Sequence, residues 1–531
     1  MKAKHIILTL ACGLTFSSCS DFLTEEPLGK ETPEKAFTSQ ATVDATLVGL
    51  YSSAVATQAW TNMQICEWQG DDITTNPGSN KQACAESDRF AMSNTNKGVV
   101  AAWKQFYGLI KRANFIINNV DKAPITDEEK NITLGQAKYW RAYAYFTLVR
   151  YFGALPLVTD ETNDNYTMEM SPVSDIYDLI VSDLTAAENL PTKYDKYPRF
   201  GNGVNFFITQ QAAKATLSAV YMAMAGYPLN KTNYYELAAS KAKEVIDGVN
   251  SGKYEFKLDD DFKKVYAMDN NYNLETVVGL NYYPVIGSWR DDTSQLTSTT
   301  LFESLGGWGD AWGELKFWKE YPEGPRKNAV YVPQIRLKTG QLVNFWDKDQ
   351  GAPVVSEQHP MLSTFMVNVD ENGKNVDTPF DYTKAPSRNM TNNHRHRLIR
   401  YSEVLLWYAE AKARTGNADA LAYDCLKKVR DRAGSTEAMP TTASELAEAA
   451  YREHGWEVAG YWIALVTRRA DLFRMNRLKD VFAERAANNG VTVAPGVVLK
   501  EMEYENKTWN ESLMYMPYPD SDASKNPNLK R

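Results

Sequence analysis

Residues Asp127 to Phe152 constrain this chain more than any other stretch. Ala137, Trp140, Arg141, Ala144, Tyr145, Leu148 and Phe152 recur at spacings of three and four, which predicts an α-helix. Ala142, Tyr143, Phe146 and Val149 fill the next face. A helix that is apolar almost all round is a buried helix, enclosed by other elements. Gly153 stops it, and Pro156 keeps it stopped.

The same rhythm predicts further helices on both sides. One starts at Pro33, with Thr32 as its cap. Others cover Ser39–Tyr51, the stretch from Gly98 through Ile117, Ser174–Leu190, Thr209–Tyr227 and Asn233–Val249. The last two form a helical hairpin around Pro228 and Asn230. Helices return at Leu398 and end at Gly416-Asn417; the next runs from Ala418 to Gly434. A capping box, Thr442-Ala443-Ser444-Glu445, opens a third, and a fourth spans Tyr461 to Met475. Antiparallel helix pairs with short turns indicate tetratricopeptide-like stacking. The expected fold is mainly all-α with little β.

Two stretches break the rhythm. Gln58 to Lys97 is rich in Asn, Gly, Asp and Ser and reads as long loops; it holds Trp68, Asp71 and Asp72. From 252 to 397 only short strand-like runs occur, such as Thr276-Val277-Val278-Gly279-Leu280. A long irregular segment in a compact protein is usually functional. The expected division is therefore a helical half over 33–251, an irregular aromatic-rich part over 252–397, and a second helical half with its tail over 398–531. The Pro- and Asn-rich tail from Leu513 is expected to lie extended on the surface.

The N-terminus reads as a targeting signal. Lys2 and Lys4 precede an apolar run from Ile6 to Phe16, then Ser17-Ser18-Cys19. The run is shorter than the ~20 residues a spanning helix needs. Cleavage after residue 18 exposes Cys19 for acylation, and two or three chains anchor stably. Residues 19–32 are then a flexible tether. Loss of Lys2 and Lys4 leaves 56 basic against 66 acidic side chains, a balance that argues against a general nucleic-acid binder. With Cys12 in the signal and Cys19 acylated, Cys66, Cys84 and Cys425 remain, too few for a disulfide framework. Cys66 and Cys84 share one loop-rich segment and are left open as a pair; Cys425 reads as a small buried hydrophobe.

Several motifs together resemble the SusD/RagB family of outer-membrane nutrient-binding lipoproteins. Arg141-Ala142-Tyr143-Ala144-Tyr145-Phe146 through Gly153-Ala154-Leu155-Pro156 is similar to the family's N-terminal motif. So are Arg400-Tyr401-Ser402-Glu403-Val404-Leu405 through Glu410-Ala411, Val429-Arg430-Asp431-Arg432-Ala433-Gly434, and the terminal Met514-Tyr515-Met516-Pro517-Tyr518-Pro519. One departure is Arg452-Glu453-His454-Gly455-Trp456-Glu457, where only the later Arg469, Asp471 and Leu472 follow the family pattern. The resemblance implies a glycan-binding loop face on a tetratricopeptide-like scaffold, no catalysis and no obligatory cofactor, with structural calcium left open. It also implies a SusC-like TonB-dependent transporter as partner, at the outer membrane.

Sugar rings have apolar faces and many hydroxyls, so aromatic platforms flanked by charged or amide groups suit them. Trp289-Arg290-Asp291-Asp292 has that mixture, with Tyr283 nearby, and so does Trp308-Gly309-Asp310-Ala311-Trp312. The expected ligand-binding residues are Trp68, Asp71, Asp72, Tyr283, Trp289, Arg290, Trp308 and Trp312. Arg141, Arg400, Glu403, Glu410, Arg430 and Arg432 lie on apolar helices and are expected to pair internally. His394 and His396 lack a third metal ligand nearby, and Gly201-Asn202-Gly203 reads as a turn. No P-loop, zinc-protease or Gly-x-Ser-x-Gly motif is present. The alternatives are peptide capture within the same family, a glycoside hydrolase with two carboxylates ~5–9.5 Å apart, and a lid whose main contact is the transporter.

Overall fold

The computed structural model describes residues 33–59, 61–76, 78, 81–160, 167–282, 294–376, 378–389 and 391–530. At its centre lies the Asp127–Phe152 helix. Thr126 caps it by accepting the Glu129 amide, Asp127, Glu128 and Glu129 complement its positive end, and Gly153 (φ 69°) closes it. From Tyr139 to Phe152 every side chain is buried. The Lys97–Asn119 helix packs on one side and Val173–Ala187 on another.

The stack then continues pairwise. Val173–Ala187 meets Gln210–Ala225, which meets Tyr234–Asn250. That helix packs directly on Tyr401–Arg414, which in turn holds Ala420–Ala433 and Ala443–Glu457. So the helices that flank the irregular part are neighbours. The irregular part leaves and re-enters through an antiparallel strand pair, Thr276–Leu280 against His396–Arg400, whose residues are all buried. Only two-stranded sheets occur among the described residues. The Gly201-Asn202-Gly203 turn links two of these strands, with Asn202 and Gly203 both at positive φ.

Buried charges hold the stack in register. Arg141 forks onto Asp183 at 2.7 and 2.8 Å. Glu410 receives Arg414 and Arg474, and Arg430 reaches Glu453 at 3.0 Å. Arg400 and Arg432 share Glu275 and Glu457. Glu403 takes the Arg400 amide at 2.7 Å. Arg326, from the irregular part, spans Glu453 (2.6 Å) and Glu457 (2.8 Å) and so fastens that part to the C-terminal helices. Glu453 and Glu457 come from the segment where the sequence departs from the family pattern. Removing one partner from such a knot leaves an uncompensated buried charge, which costs several kcal/mol.

Three sequence expectations are corrected and one open point is decided. Gln58–Lys97 is not a set of loops: it contains a 3₁₀ segment over Thr61–Gln69 and a helix over Gln82–Asp88. Tyr461–Val466 is buried but not helical; the helix begins after Thr467, whose hydroxyl accepts the Ala470 amide. A short, wholly buried apolar run looks the same whether helical or extended. The tail lies on the surface only in part: Met514 and Met516 are fully buried and Tyr518 stacks on Phe152 at 6.2 Å, while Asp520, Ser521, Ser524 and Lys525 are at the surface. Met514, Met516 and Tyr518 alternate, so one side of an extended chain enters the core. Finally, Cys66 and Cys84 are separate buried thiols, as is Cys425, which joins the main apolar core.

Candidate functional site

The expected ligand residues separate into three groups. Trp68 is fully enclosed and meets Trp462 edge to face at 5.6 Å. Asp71 is chelated by Arg468 at 2.6 and 2.7 Å. Asp72 is buried and accepts the Gly460 amide at 2.8 Å; burial and the neighbouring Asp71 charge push its pKa up to about 7. These three clamp the first 3₁₀ segment to the region after the Ala443–Glu457 helix. Trp312 is also core: it pairs in register with Thr74, and its ring packs on Phe302 and His359. Because the Gln58–Lys97 stretch folds inward, the side chains it shares with Trp312 face the interior. Tyr283, Trp289, Arg290 and Cys19 lie outside the described residues.

Trp308 is different. It is half-buried, on a loop built for close backbone approach. Leu301 and Phe302 pin the loop into the core, and Glu303–Leu305 makes one 3₁₀ turn. Gly306 follows at φ 97°, a conformation other residues adopt only under strain. A Cβ on Gly307 would stand 2.0 Å from the Leu301 carbonyl oxygen. The Trp308 amide then donates back to the Ser298 carbonyl at 2.8 Å and Gly309 to Leu301 at 2.9 Å. Glycine at 307 is therefore what lets the loop fold back and turn Trp308 to its position.

Three other segments meet this loop. The Thr75 hydroxyl donates to the Asp310 carbonyl at 2.5 Å, and Lys81 forms a buried ion pair with the Asp310 carboxylate. Asn76 donates to Glu303 at 3.3 Å. Ser304 donates twice to Glu357, at 3.0 and 2.8 Å. The Ser298 hydroxyl reaches the Arg388 carbonyl at 3.3 Å. Beside the loop opens a depression of about 340 Å³ whose walls include Leu305, Arg336, Leu337, Lys338, Arg388 and Asn389. The Arg388 side chain crosses the face of Gly306, 3.3 Å from where a Cβ would sit. Amide groups and cations from positions 336–338 and 388–389 thus border the depression together with Leu305, three residues before Trp308 on the same loop. No local signal in the sequence marks them, because only the folding of distant loops brings them together.

His396 lies in the neck, between the Tyr282 hydroxyl (2.9 Å) and the Ser294 hydroxyl (2.7 Å). Burial, aided by His394 and Arg397, holds its pKa well below the usual imidazole value. Among the described residues no group of three His, Cys, Asp or Glu side chains is placed to hold a metal ion.

A family model described as starch-binding, associating with the outer membrane, matches residues 21–222, and the SusD family model matches residues 370–531. The chain belongs to the SusD/RagB family. A SusD-like protein of Bacteroides ovatus is 23% identical over 100% of this chain and 97% of its own. Among solved structures, one crystallised with xylogluco-oligosaccharide shares the fold at a TM-score of 0.69 and 20% identity, covering 92% of this chain and 98% of that one. A laminarin-binding SusD-like protein does so at 0.69 and 19%, with the same coverage. The two matches leave out residues 223–369, which hold Trp308, Arg336 and Lys338, whereas Asn76 and Arg388 fall inside them.

Proposed function

We propose that this SusD/RagB protein captures oligo- or polysaccharide on the Trp308 face, performs no chemistry on it, and delivers it to a SusC-like TonB-dependent transporter in the outer membrane. Acylation of Cys19 tethers it there; no described helix is long and apolar enough to cross a membrane. The observation that carries the reading is the half-buried Trp308 on its glycine-built loop, next to an open depression with amide and charged walls. The relatives solved with xylogluco-oligosaccharide and named for laminarin support it.

Isothermal titration against neutral and acidic glycans and peptides tests this, with Trp308→Ala as the variant. A sugar face covering roughly 80 Å² of the indole contributes about 2 kcal/mol, so Kd rises roughly 30-fold in the variant. Unchanged circular dichroism confirms that folding survives. Glycan binding at wild-type affinity by Trp308→Ala, binding of peptides alone, or accumulation of shortened sugar chains would each overturn the proposal.

A further inference from the structure

The depression beside Trp308 has a one-sided charge. Arg336 comes from the Ile335–Arg336 strand, Lys338 from the turn that follows, and Arg388 from the returning segment. All three border it, and among the described residues no carboxylate does. None of the three has an acidic partner among the described residues. Arg336 gives its Nε–H to the Thr383 carbonyl at 3.1 Å, and its Nη2 lies 3.3 Å from where a Cβ on Gly340 would sit.

Three acids on the flanking segments accept hydrogen bonds of their own. Asp370 accepts the Asn372 and Lys374 amides, both at 2.9 Å; Glu357 takes Ser304, and Glu303 takes Asn76. This contrasts with the rest of the molecule. The chain carries 66 acidic against 58 basic residues, and Arg141, Arg326, Arg400, Arg430 and Arg474 in the buried stack are each matched by glutamates or aspartates. Three unpaired cations around one concavity repel each other, and an anion in the concavity removes that repulsion. Guanidinium groups chelate carboxylate and sulfate oxygens in bidentate fashion, while the lysine supplies a mobile point charge. Leu305 and Leu337 give the floor an apolar part on which a sugar ring can rest.

We infer that the Arg336–Lys338–Arg388 depression selects acidic sugar chains, those carrying uronate carboxylates or sulfate esters, over neutral ones. This rests on the glycan-capture reading and adds the ligand's charge class. Trp308 takes a ring face, and the cations take the acidic substituent of the same or the next residue.

The test uses the full mature chain and size-matched oligogalacturonate, sulfated galactan and neutral β-glucan oligosaccharides, titrated at low and high sodium chloride. At least one acidic ligand is expected to bind tenfold or more tighter than the neutral one, and to weaken as salt rises. Arg388→Ala and Lys338→Ala, both at exposed positions, each narrow the gap roughly tenfold, the scale of one charge-assisted hydrogen bond. Preference for the uronate or for the sulfated chain assigns the group. Equal or tighter binding of the neutral ligand, or acidic binding indifferent to salt and to both substitutions, overturns the inference while glycan capture stands. Failure of every glycan to bind removes the capture reading as well.

Discussion

Glu457→Gln deletes one charge from a buried carboxylate that is paired with three arginines. Its Oε1 receives Arg400 at 2.8 Å and Arg432, and its Oε2 receives Arg326 at 2.8 Å. Arg400 also donates to the Glu457 carbonyl at 2.6 Å, a bond the variant keeps. At an effective dielectric near 20, unit charges ~4 Å apart attract by about 4 kcal/mol, so three partners give about 12 kcal/mol gross. Desolvation of the carboxylate takes back several kcal/mol, and glutamine still accepts one hydrogen bond. Glu275 and Glu453 continue to serve the same arginines. The expected loss is about 3–5 kcal/mol, the usual cost of stranding a buried charge. That is a large share of a typical ~5–15 kcal/mol stability. Urea unfolding followed by tryptophan fluorescence and far-ultraviolet circular dichroism measures it as a midpoint lowered by about 1 M or more. The pH dependence supplies a second check. Burial opposes the ionised form of Glu457, but Arg432, Arg400 and Arg326 outweigh it and hold the carboxyl well below its usual range. A depressed folded pKa gives stability that is complete above the unfolded value, about 4.3, and is lost as pH falls toward the folded value. The gap between wild type and variant should therefore stay constant from pH 5 to 7 and shrink steadily below pH 4. A loss under 1 kcal/mol, or a gap that does not change in acid, would refute the view that this knot carries the junction between the irregular part and the helical stack.

Three further outcomes follow from single residues. His454 is enclosed, donates from Nδ1 to Asp471 at 2.6 Å, and has Glu403 3.6 Å from Nε2. Burial works against its charge, yet the two carboxylates push its pKa up to about 9. Its contribution, on the order of 3 kcal/mol, is complete below about pH 6.5 and is lost as pH rises through 9. Wild type should lose stability over that interval relative to His454→Gln, and parallel stability curves would contradict the assignment. Gly307→Ala forces a Cβ against the Leu301 carbonyl and should cost about 1–3 kcal/mol and at least tenfold in glycan affinity. Gly108→Ala meets nothing within 4 Å in the middle of a helix and should stabilise by about 0.5–1 kcal/mol. Equal melting shifts in the two variants would show that the loop is not held as described.

The helices were legible because their signal is local. The Asp127–Phe152 boundaries follow from Thr126, the acidic first turn and Gly153. The Thr442 capping box and the Gly434 stop were likewise readable within a few residues. The internal pairing of Arg141, Arg400, Glu410 and Arg430 was legible too, because a charge on an apolar helix has to find a partner. Their partners were not: Glu275 and Arg326 lie in the irregular part, far along the chain. The site shows the same limit. Trp68, Trp308 and Trp312 look alike in sequence, each a tryptophan among Gly, Asp and Glu, yet two are core and one reaches the surface.

By itself, then, the sequence determined the helical scaffold, its family, and the need for buried counter-charges, since periodicity, caps and motifs act over one or two turns. Which aromatic ring faces water, and which cations gather around an open depression, only the tertiary structure decided. Those properties depend on how segments near residues 76, 305, 337 and 388 close on one another, and closure of distant loops leaves no trace in local spacing.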